Sequence, residues 1–333
     1  MSERAERQAT PDPRPLIALT MGDPAGIGPE IVAATLADSA ATARCRPIVI
    51  ADPEVLRAAV ALVDASLEVV VVDSIGDARF DPRRIEVLAA ARVRDHAWGE
   101  LSEDAGRAAL SCLTTAAGLA VDGIVSAPLN KQALRLAGMH HHDELELLAE
   151  ITSSHEPAMV GVLPSLWTIS VTGHVALRAV ADLVSRERVL ASVRRLAHAL
   201  AATTPDPRIA VAGLNPHAGE GGYLGREEID HIAPAVADAR AGGIDAIGPL
   251  APDTVFPAAI ADGAHGVVCM YHDQANIARK LHDRREQATL YLGLPLPVAT
   301  TAHGTAFDRA GTGTASPASL RAALDAVVAL AAT

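Results

Sequence analysis

Short, mainly apolar runs alternate along this chain with longer polar stretches in which alanine, leucine and valine return every three or four positions. The runs Pro15–Thr20, Arg46–Ala51, Leu67–Asp73, Trp167–Val171, Arg208–Gly213 and Gly266–Tyr271 predict strands. Val121–Lys131 reads as a strand that ends in a polar loop, and Leu292–Thr300 as a last strand approach. Strands that are apolar at every position, not at alternate ones, are buried on both faces, as in a parallel sheet under helices. Helical spacing predicts helices from Ile31, after Asp52, over Gly99–Ala120 (Ala105, Ala109, Cys112, Leu113 and Ala116 on one side), Leu147–Thr152, Ser185–Ala202 and Asp230–Arg240. A last helix ends near Ala331, with Ser316 as its N-cap. The segment around Pro82 and the proline-rich Gly248–Phe256 read as loops, and residues 1–14 as a disordered leader. The sum is an α/β fold with mostly parallel strands.

Composition narrows the class. At 333 residues the chain suits two α/β lobes, and with 50% hydrophobic but only 2% aromatic residues its core must be aliphatic. The formal charge of −12 and pI near 5.5 argue against a general nucleic-acid partner. No apolar signal core and no clean 18-residue apolar span is present, so a cytoplasmic protein without membrane contact is expected. Cys45, Cys112 and Cys269 lack CxxC spacing and read as reduced core residues.

Candidate chemistry gathers at predicted strand ends. His217 lies in the glycine-rich Gly213–Gly225, His174 follows Trp167–Val171, and His272 follows Gly266–Tyr271, with Asp273 next to it. Ligands in open α/β sheets bind outside the carboxyl ends of strands, and three histidines there make a plausible nitrogen site for a divalent cation. A glycine turn with an incidental histidine is the plainer alternative. Met21–Glu30 is either an anion loop or a tight strand-to-helix turn, with no dinucleotide fingerprint and no P-loop. Lys131 reads as a surface lysine or an anion contact. His140, His141 and His142 cannot all serve one site, and a solvated loop is favoured. The basic run over Asn276–Gln287 (Arg279, Lys280, His282, Arg284, Arg285) is an exposed face or a receiver of anions, and Asp253 a polar point or a helix cap.

The ordered set Gly22–Glu30, Ala127-Pro-Leu-Asn-Lys131, His174, Leu214–Gly222, Gly248-Pro-Leu with Asp253, Tyr271-His-Asp-Gln274, Leu292–Pro295 and His303-Gly-Thr-Ala306 resembles the 4-hydroxythreonine-4-phosphate dehydrogenase family over nearly the whole chain. The resemblance implies two α/β/α lobes like those of isocitrate and isopropylmalate dehydrogenases: residues 15–130 with about 296–333, and about 131–295. It implies a homodimer with the active site near the interface, a small anionic substrate and NAD or NADP. It also implies a divalent metal (Zn, Mg, Co or Mn) on His174, His217 and His272, the third supplied by the partner subunit. The reaction implied is oxidation of a secondary alcohol to a β-keto acid that then loses carbon dioxide; the cation would polarise the hydroxyl as hydride leaves. Lys280 maps to the family's substrate lysine and is a catalytic candidate; Asp273, beside His272, is a candidate to orient a ligand or a plain salt-bridge partner. Gly219, Gly221, Asp253, Leu292 and Gly293 are the cofactor contacts implied, and Lys131 is a further candidate substrate contact.

The chain departs from the family where substrate is held. A His-Thr pair becomes Glu144-Leu145, an asparagine becomes Thr289, an arginine becomes Val298, and an aspartate before His303 becomes Ala302. Loss of a charge-assisted arginine contact, worth about 1.5–3 kcal/mol, predicts a rebuilt substrate grip. Arg279, Arg284 or Arg285 are candidates to restore the charge. The substrate implied is of the 4-phosphohydroxythreonine, phosphothreonate or phosphoerythronate type, and a non-phosphorylated dihydrodiol dicarboxylate is the alternative. An acyl transferase of phosphotransacetylase type and an inactive binding protein are the alternatives of another class.

Overall fold

The computed structural model describes residues 12–63, 66–281 and 286–332. Most of the expected leader, together with His282, Arg284 and Arg285, lies outside the described residues. Twelve strands are described: β1 Leu16–Thr20, β2 Arg46–Ala51, β3 Glu68–Val71, β4 Arg84–Ala89, β5 Gly123–Ser126, β6 Ala158–Val162, β7 Trp167–Ser170, β8 Ile209–Ala212, β9 Ala246–Leu250, β10 Gly266–Cys269, β11 Ala288–Leu292 and β12 Val298–Thr301. They join in one sheet of order β3-β4-β2-β1-β5-β12-β11-β6-β7-β10-β8-β9.

The pairings are parallel except β12–β11, β11–β6 and β6–β7. An odd number of reversals lies between β12 and β7, so the parallel half around β1 runs opposite to the parallel half around β10. The α/β class with mostly parallel strands is therefore observed, with both halves fused through β11. Strands β1, β5, β8, β10 and β12 are buried at every position, which is why they carry no polar alternation. The edge strand β3 presents exposed Glu68 to solvent, a charge that discourages further strand pairing.

One continuous aliphatic core spans both halves, from Ile17, Leu19 and Ile50 to Leu148, Val160 and Leu290. A smaller cluster under the far edge holds Ala212, Val255 and Cys269. All three cysteines are buried and unpaired.

Several local expectations are corrected. Strands β4, β6 and β11 lie where no strand is predicted. β9 occupies the start of the supposed loop Gly248–Phe256, because Gly248 and Pro249 sit on an edge strand, where proline costs no ladder bond. The first helix begins at Gly28, not Ile31, with Pro29 in its first turn. The last helix, Ala318–Ala331, is capped by Pro317 without a side-chain bond; the Ser316 hydroxyl accepts from the Ala318 N–H only at 3.4 Å. Asp253 caps nothing, since Thr254 precedes the helix Val255–Ala261 and no side chain bonds there.

Candidate functional site

A cavity of about 290 Å³ opens over β5, β12, β11 and β6. Four of the expected site residues line it: Lys131, Glu144, His174 and Thr289. A larger groove of about 700 Å³, lined by Trp167, His265 and Arg321 among others, contains none of them. Chemistry, not size, selects the smaller one. Lys131 opens the helix Lys131–Leu136, whose N-cap Asn130 accepts from the N–H groups of Gln132 and Ala133. That helix sits tightly against Glu103–Ala117 because Gly106 has no side chain: a Cβ there would lie 2.0 Å from the Ala133 carbonyl oxygen. Asp143 caps the helix Glu144–Ile151 through the Glu146 N–H.

Glu144 is the unusual wall residue. It is buried, and its carboxylate accepts hydrogen bonds from the Tyr291 hydroxyl and, at 3.2 Å, from the Ser126 hydroxyl. Burial pushes its pKa up to about 6, opposed by the hydroxyls of Tyr291, Ser126 and Thr300. Burial likewise raises the Tyr291 hydroxyl well above its ordinary value, with the Glu144 charge adding to it.

His174 and His272 stand side by side in the same chain, ring centres 5.2 Å apart, whereas the resemblance implied a third histidine from the partner subunit; their strands are direct neighbours, which brings the two rings together within one chain. They follow β7 and β10, which are adjacent parallel strands; His217 follows β8, the next strand over. His272 begins the helix His272–Leu281, and its Nδ1 is 2.7 Å from Asp273 Oδ1, which leaves Nε2 as the ligating atom. His174 Nδ1 is 4.0 Å from Asp143 Oδ2. Two imidazoles so placed suit half of a divalent-cation site. Among the described residues of one chain, no group of three His, Cys, Asp or Glu side chains completes a cage.

The glycine-rich loop after β8 is a left-handed turn. His217, Ala218, Gly219, Glu220 and Gly221 all have positive φ, between 47° and 80°. Three of these are not glycine, so the turn is strained. Glu228, 3% exposed, holds it from behind: one carboxylate oxygen accepts the N–H groups of Leu214 and Asn215, each at 2.7 Å, and the other accepts Asn215 Nδ2 at 2.9 Å. Gln274 ties this loop to the His272 helix, donating to the Gly213 carbonyl at 2.9 Å while accepting the Met270 N–H.

By contrast, Met21–Glu30 is a structural turn. It is buried throughout, the Asp23 carboxylate accepts the Ala25 N–H, and Ile27 N–H donates to the Thr305 carbonyl. Leu145 and Val298, expected at substrate, lie in the aliphatic core. An apolar side chain in those two places gains more from packing than from a polar ligand. Lys280, Asp273, Gly219, Gly221, Asp253, Leu292 and Gly293 stand outside the cavity wall. Two of the three consecutive histidines do line it: His141, bonded through Nε2 to Glu150 at 2.9 Å, and His142. Arg135, Met159, Tyr291, Thr300 and His303 also line the wall and were not among the expected site residues. Thr300 and His303 carried a signal, a strand end rich in hydroxyls beside His-Gly-Thr. Tyr291 carried none, because β11 was not predicted.

A continuous, mostly parallel sheet with paired histidines beside a polar cavity at strand ends is the architecture of an α/β enzyme. The family described as pyridoxal phosphate biosynthetic protein PdxA matches residues 43–327. The chain is 39% identical over 333 residues to the 4-hydroxythreonine-4-phosphate dehydrogenase of Trichlorobacter lovleyi, covering 96% of this chain and 99% of that one. It is 38% identical over 320 residues, covering 94% and 96%, to a Symbiobacterium thermophilum protein provisionally named D-threonate 4-phosphate dehydrogenase. The solved structure of the Klebsiella pneumoniae 4-hydroxythreonine-4-phosphate dehydrogenase superposes with a TM-score of 0.82 at 38% identity, covering 96% and 100%. The chain belongs to the PdxA family. It is an enzyme, a dehydrogenase acting on a CH–OH group with an NAD-type cofactor and a divalent metal. This decides for the dehydrogenase over the acyl transferase. Among the described residues, no helix is long and apolar enough to cross a membrane.

Proposed function

We propose that the chain oxidises a secondary hydroxyl of a small phosphorylated hydroxy acid, of the 4-hydroxythreonine 4-phosphate or D-threonate 4-phosphate type, with NAD or NADP as hydride acceptor. The product is a β-keto acid that loses carbon dioxide. The observation that carries this reading is the His174–His272 pair, with His174 in the wall of the cavity and His272 oriented by Asp273. When bound, a divalent cation there would stabilise negative charge on the substrate oxygen. Lys131, at the cavity, and Lys280 meet anionic groups, while Glu144 and Thr289 set the shape and polarity of the wall. The left-handed turn receives the cofactor: a Cβ added to Gly221 would meet nothing within 4 Å, so phosphate groups can approach its backbone closely. Asp253, Leu292 and Gly293 are its further contacts.

The active form is a homodimer. Exposed apolar side chains are concentrated in the segments that carry the three histidines: Val175 and Leu177 after His174, Tyr223 and Leu224 after His217, Ile277 and Leu281 after His272. Such an apolar rim around polar chemistry calls for a covering surface. A second copy would supply that surface and complete the metal cage, of which one chain holds only part. Buried, unpaired cysteines suit a reducing, cytoplasmic setting.

The test is NAD(P) reduction by metal-loaded protein with 4-hydroxythreonine 4-phosphate, D-threonate 4-phosphate and a cis-dihydrodiol dicarboxylate, each with and without chelator. Chelator-sensitive turnover of either phosphorylated compound is expected. Turnover of the dihydrodiol alone would replace the substrate assignment, and chelator-insensitive turnover would remove the metal from the reaction.

A further inference from the structure

One cross-strand row of the central sheet is polar where its surroundings are aliphatic. In register across six neighbouring strands lie Thr20 (β1), Ser126 (β5), Thr300 (β12), Thr289 (β11), Gly161 (β6) and Thr168 (β7). Residues directly opposite one another on adjacent strands share a face, so the hydroxyls form a strip that is continuous from Thr20 to Thr289 and is interrupted only by Gly161. Thr289 and Thr300 are part of the cavity wall.

The two ends of this strip carry opposite charge. Glu144 rests on Ser126 at one end, with Thr300 beside it. At the other end the Arg279 side chain lies across Gly161, where a Cβ would come within 2.7 Å of its Cδ and Nη1. The absence of a side chain at residue 161 is what gives Arg279 its place. Its Nη2 donates to Asn276 Oδ1 at 2.8 Å. Its Nη1 reaches Thr289 Oγ1 and the Ala288 carbonyl only at 3.5 Å, and its buried Nε has no partner. Among the described residues no carboxylate pairs with it. Burial disfavours the charged form and lowers its pKa. A half-buried guanidinium with unused donors and no counter-ion is costly unless a ligand supplies the anion. Arg279 meets the cavity through the wall residue Thr289, whereas Lys131 and Arg135 line it directly but from exposed positions where water already solvates them.

We propose that the substrate lies along this hydroxyl strip in one direction, with its phosphate toward Arg279 and Thr289 and a hydrogen-bond donor, a hydroxyl or amine, toward Glu144. Ser126 and Gly161 are three strand spacings apart, about 14 Å, but both charged side chains lean inward along the strip, Glu144 to the Tyr291 hydroxyl and Arg279 to Thr289, so that both can act on one small molecule. The direction of binding is thus set by residues that replace nothing at Val298, which is sealed in the core. This assignment rests on the reading of the site as that of a dehydrogenase of a phosphorylated hydroxy acid.

The test compares D-threonate 4-phosphate with unphosphorylated D-threonate on the metal-loaded enzyme. It measures KM and kcat, and also binding of D-threonate 4-phosphate by calorimetry without cofactor. Arg279→Leu is expected to raise KM and Kd for the phosphorylated compound at least tenfold, leaving kcat within about twofold and D-threonate unaffected, with Arg279→Lys recovering part of the loss. Gly161→Ala keeps the charge but displaces it, and shifts KM in the same direction; it serves as the second variant if Arg279→Leu does not fold. Normal binding and turnover of the phosphorylated compound by both variants would overturn the proposal while leaving the reaction intact. A wild-type enzyme that neither binds nor oxidises the phosphorylated compound would overturn the underlying reading and the proposal with it.

Discussion

Replacing Glu228 by alanine should release the left-handed turn while leaving the rest of the fold in place. His217, Ala218 and Glu220 each occupy a backbone region that costs a residue with a side chain about 1–2 kcal/mol, roughly 3–6 kcal/mol for the turn. Glu228 accepts two backbone N–H groups at 2.7 Å, each charge-assisted bond worth about 1.5–3 kcal/mol, again roughly 3–6 kcal/mol together. The Asn215 amide adds a third bond, and Asn215 is also held by Glu227. Strain and anchor nearly balance, so removing the anchor leaves the turn without net support. Amide hydrogen exchange is the assay. At about 1.4 kcal/mol per tenfold, loss of about 3 kcal/mol accelerates exchange over 213–225 by roughly a hundredfold. Exchange in β10 should not change, and cofactor affinity should fall with the loop. Glu228→Gln keeps one carbonyl acceptor and should show a smaller acceleration. Unchanged loop exchange in a folded Glu228→Ala protein would refute the reasoning; so would equal acceleration everywhere, which would make Glu228 a support of the whole fold.

Two further outcomes follow from the site. The pKa of Glu144 is raised from 4.5 to about 6 in the folded chain, so the native state holds that proton more tightly than the unfolded one. The associated stability is fully present below about pH 4.5 and is lost as pH rises through about 6, a change of about 2 kcal/mol. Urea titrations should therefore show wild type losing about that much relative to Glu144→Gln between pH 4 and 7.5, and a constant difference would contradict it. Asp273→Asn weakens the orientation of His272, and metal affinity measured by calorimetry should drop about 10- to 100-fold with the melting temperature little changed; undiminished affinity would show that the contact does not position the ring.

The sequence by itself determined the α/β class, because uninterrupted apolar runs such as Ile209–Ala212 and Gly266–Cys269 can only be satisfied by burial on both faces. It also placed the three histidines and Asp273 at strand ends, since the glycine and polar signals that follow each run are local. The strands β4, β6 and β11 were not legible. Their segments are short and carry charge or lie beside basic and proline-rich stretches, and neighbouring strands, not local propensity, hold them extended. Only the tertiary structure decided that both halves share one sheet, that Met21–Glu30 is a buried turn and that Glu228 anchors the strained loop. It alone set Arg279 over Gly161 and Glu144 on Ser126. These facts depend on register between strands far apart in sequence, and a one-residue slip would turn each of those side chains to the other face.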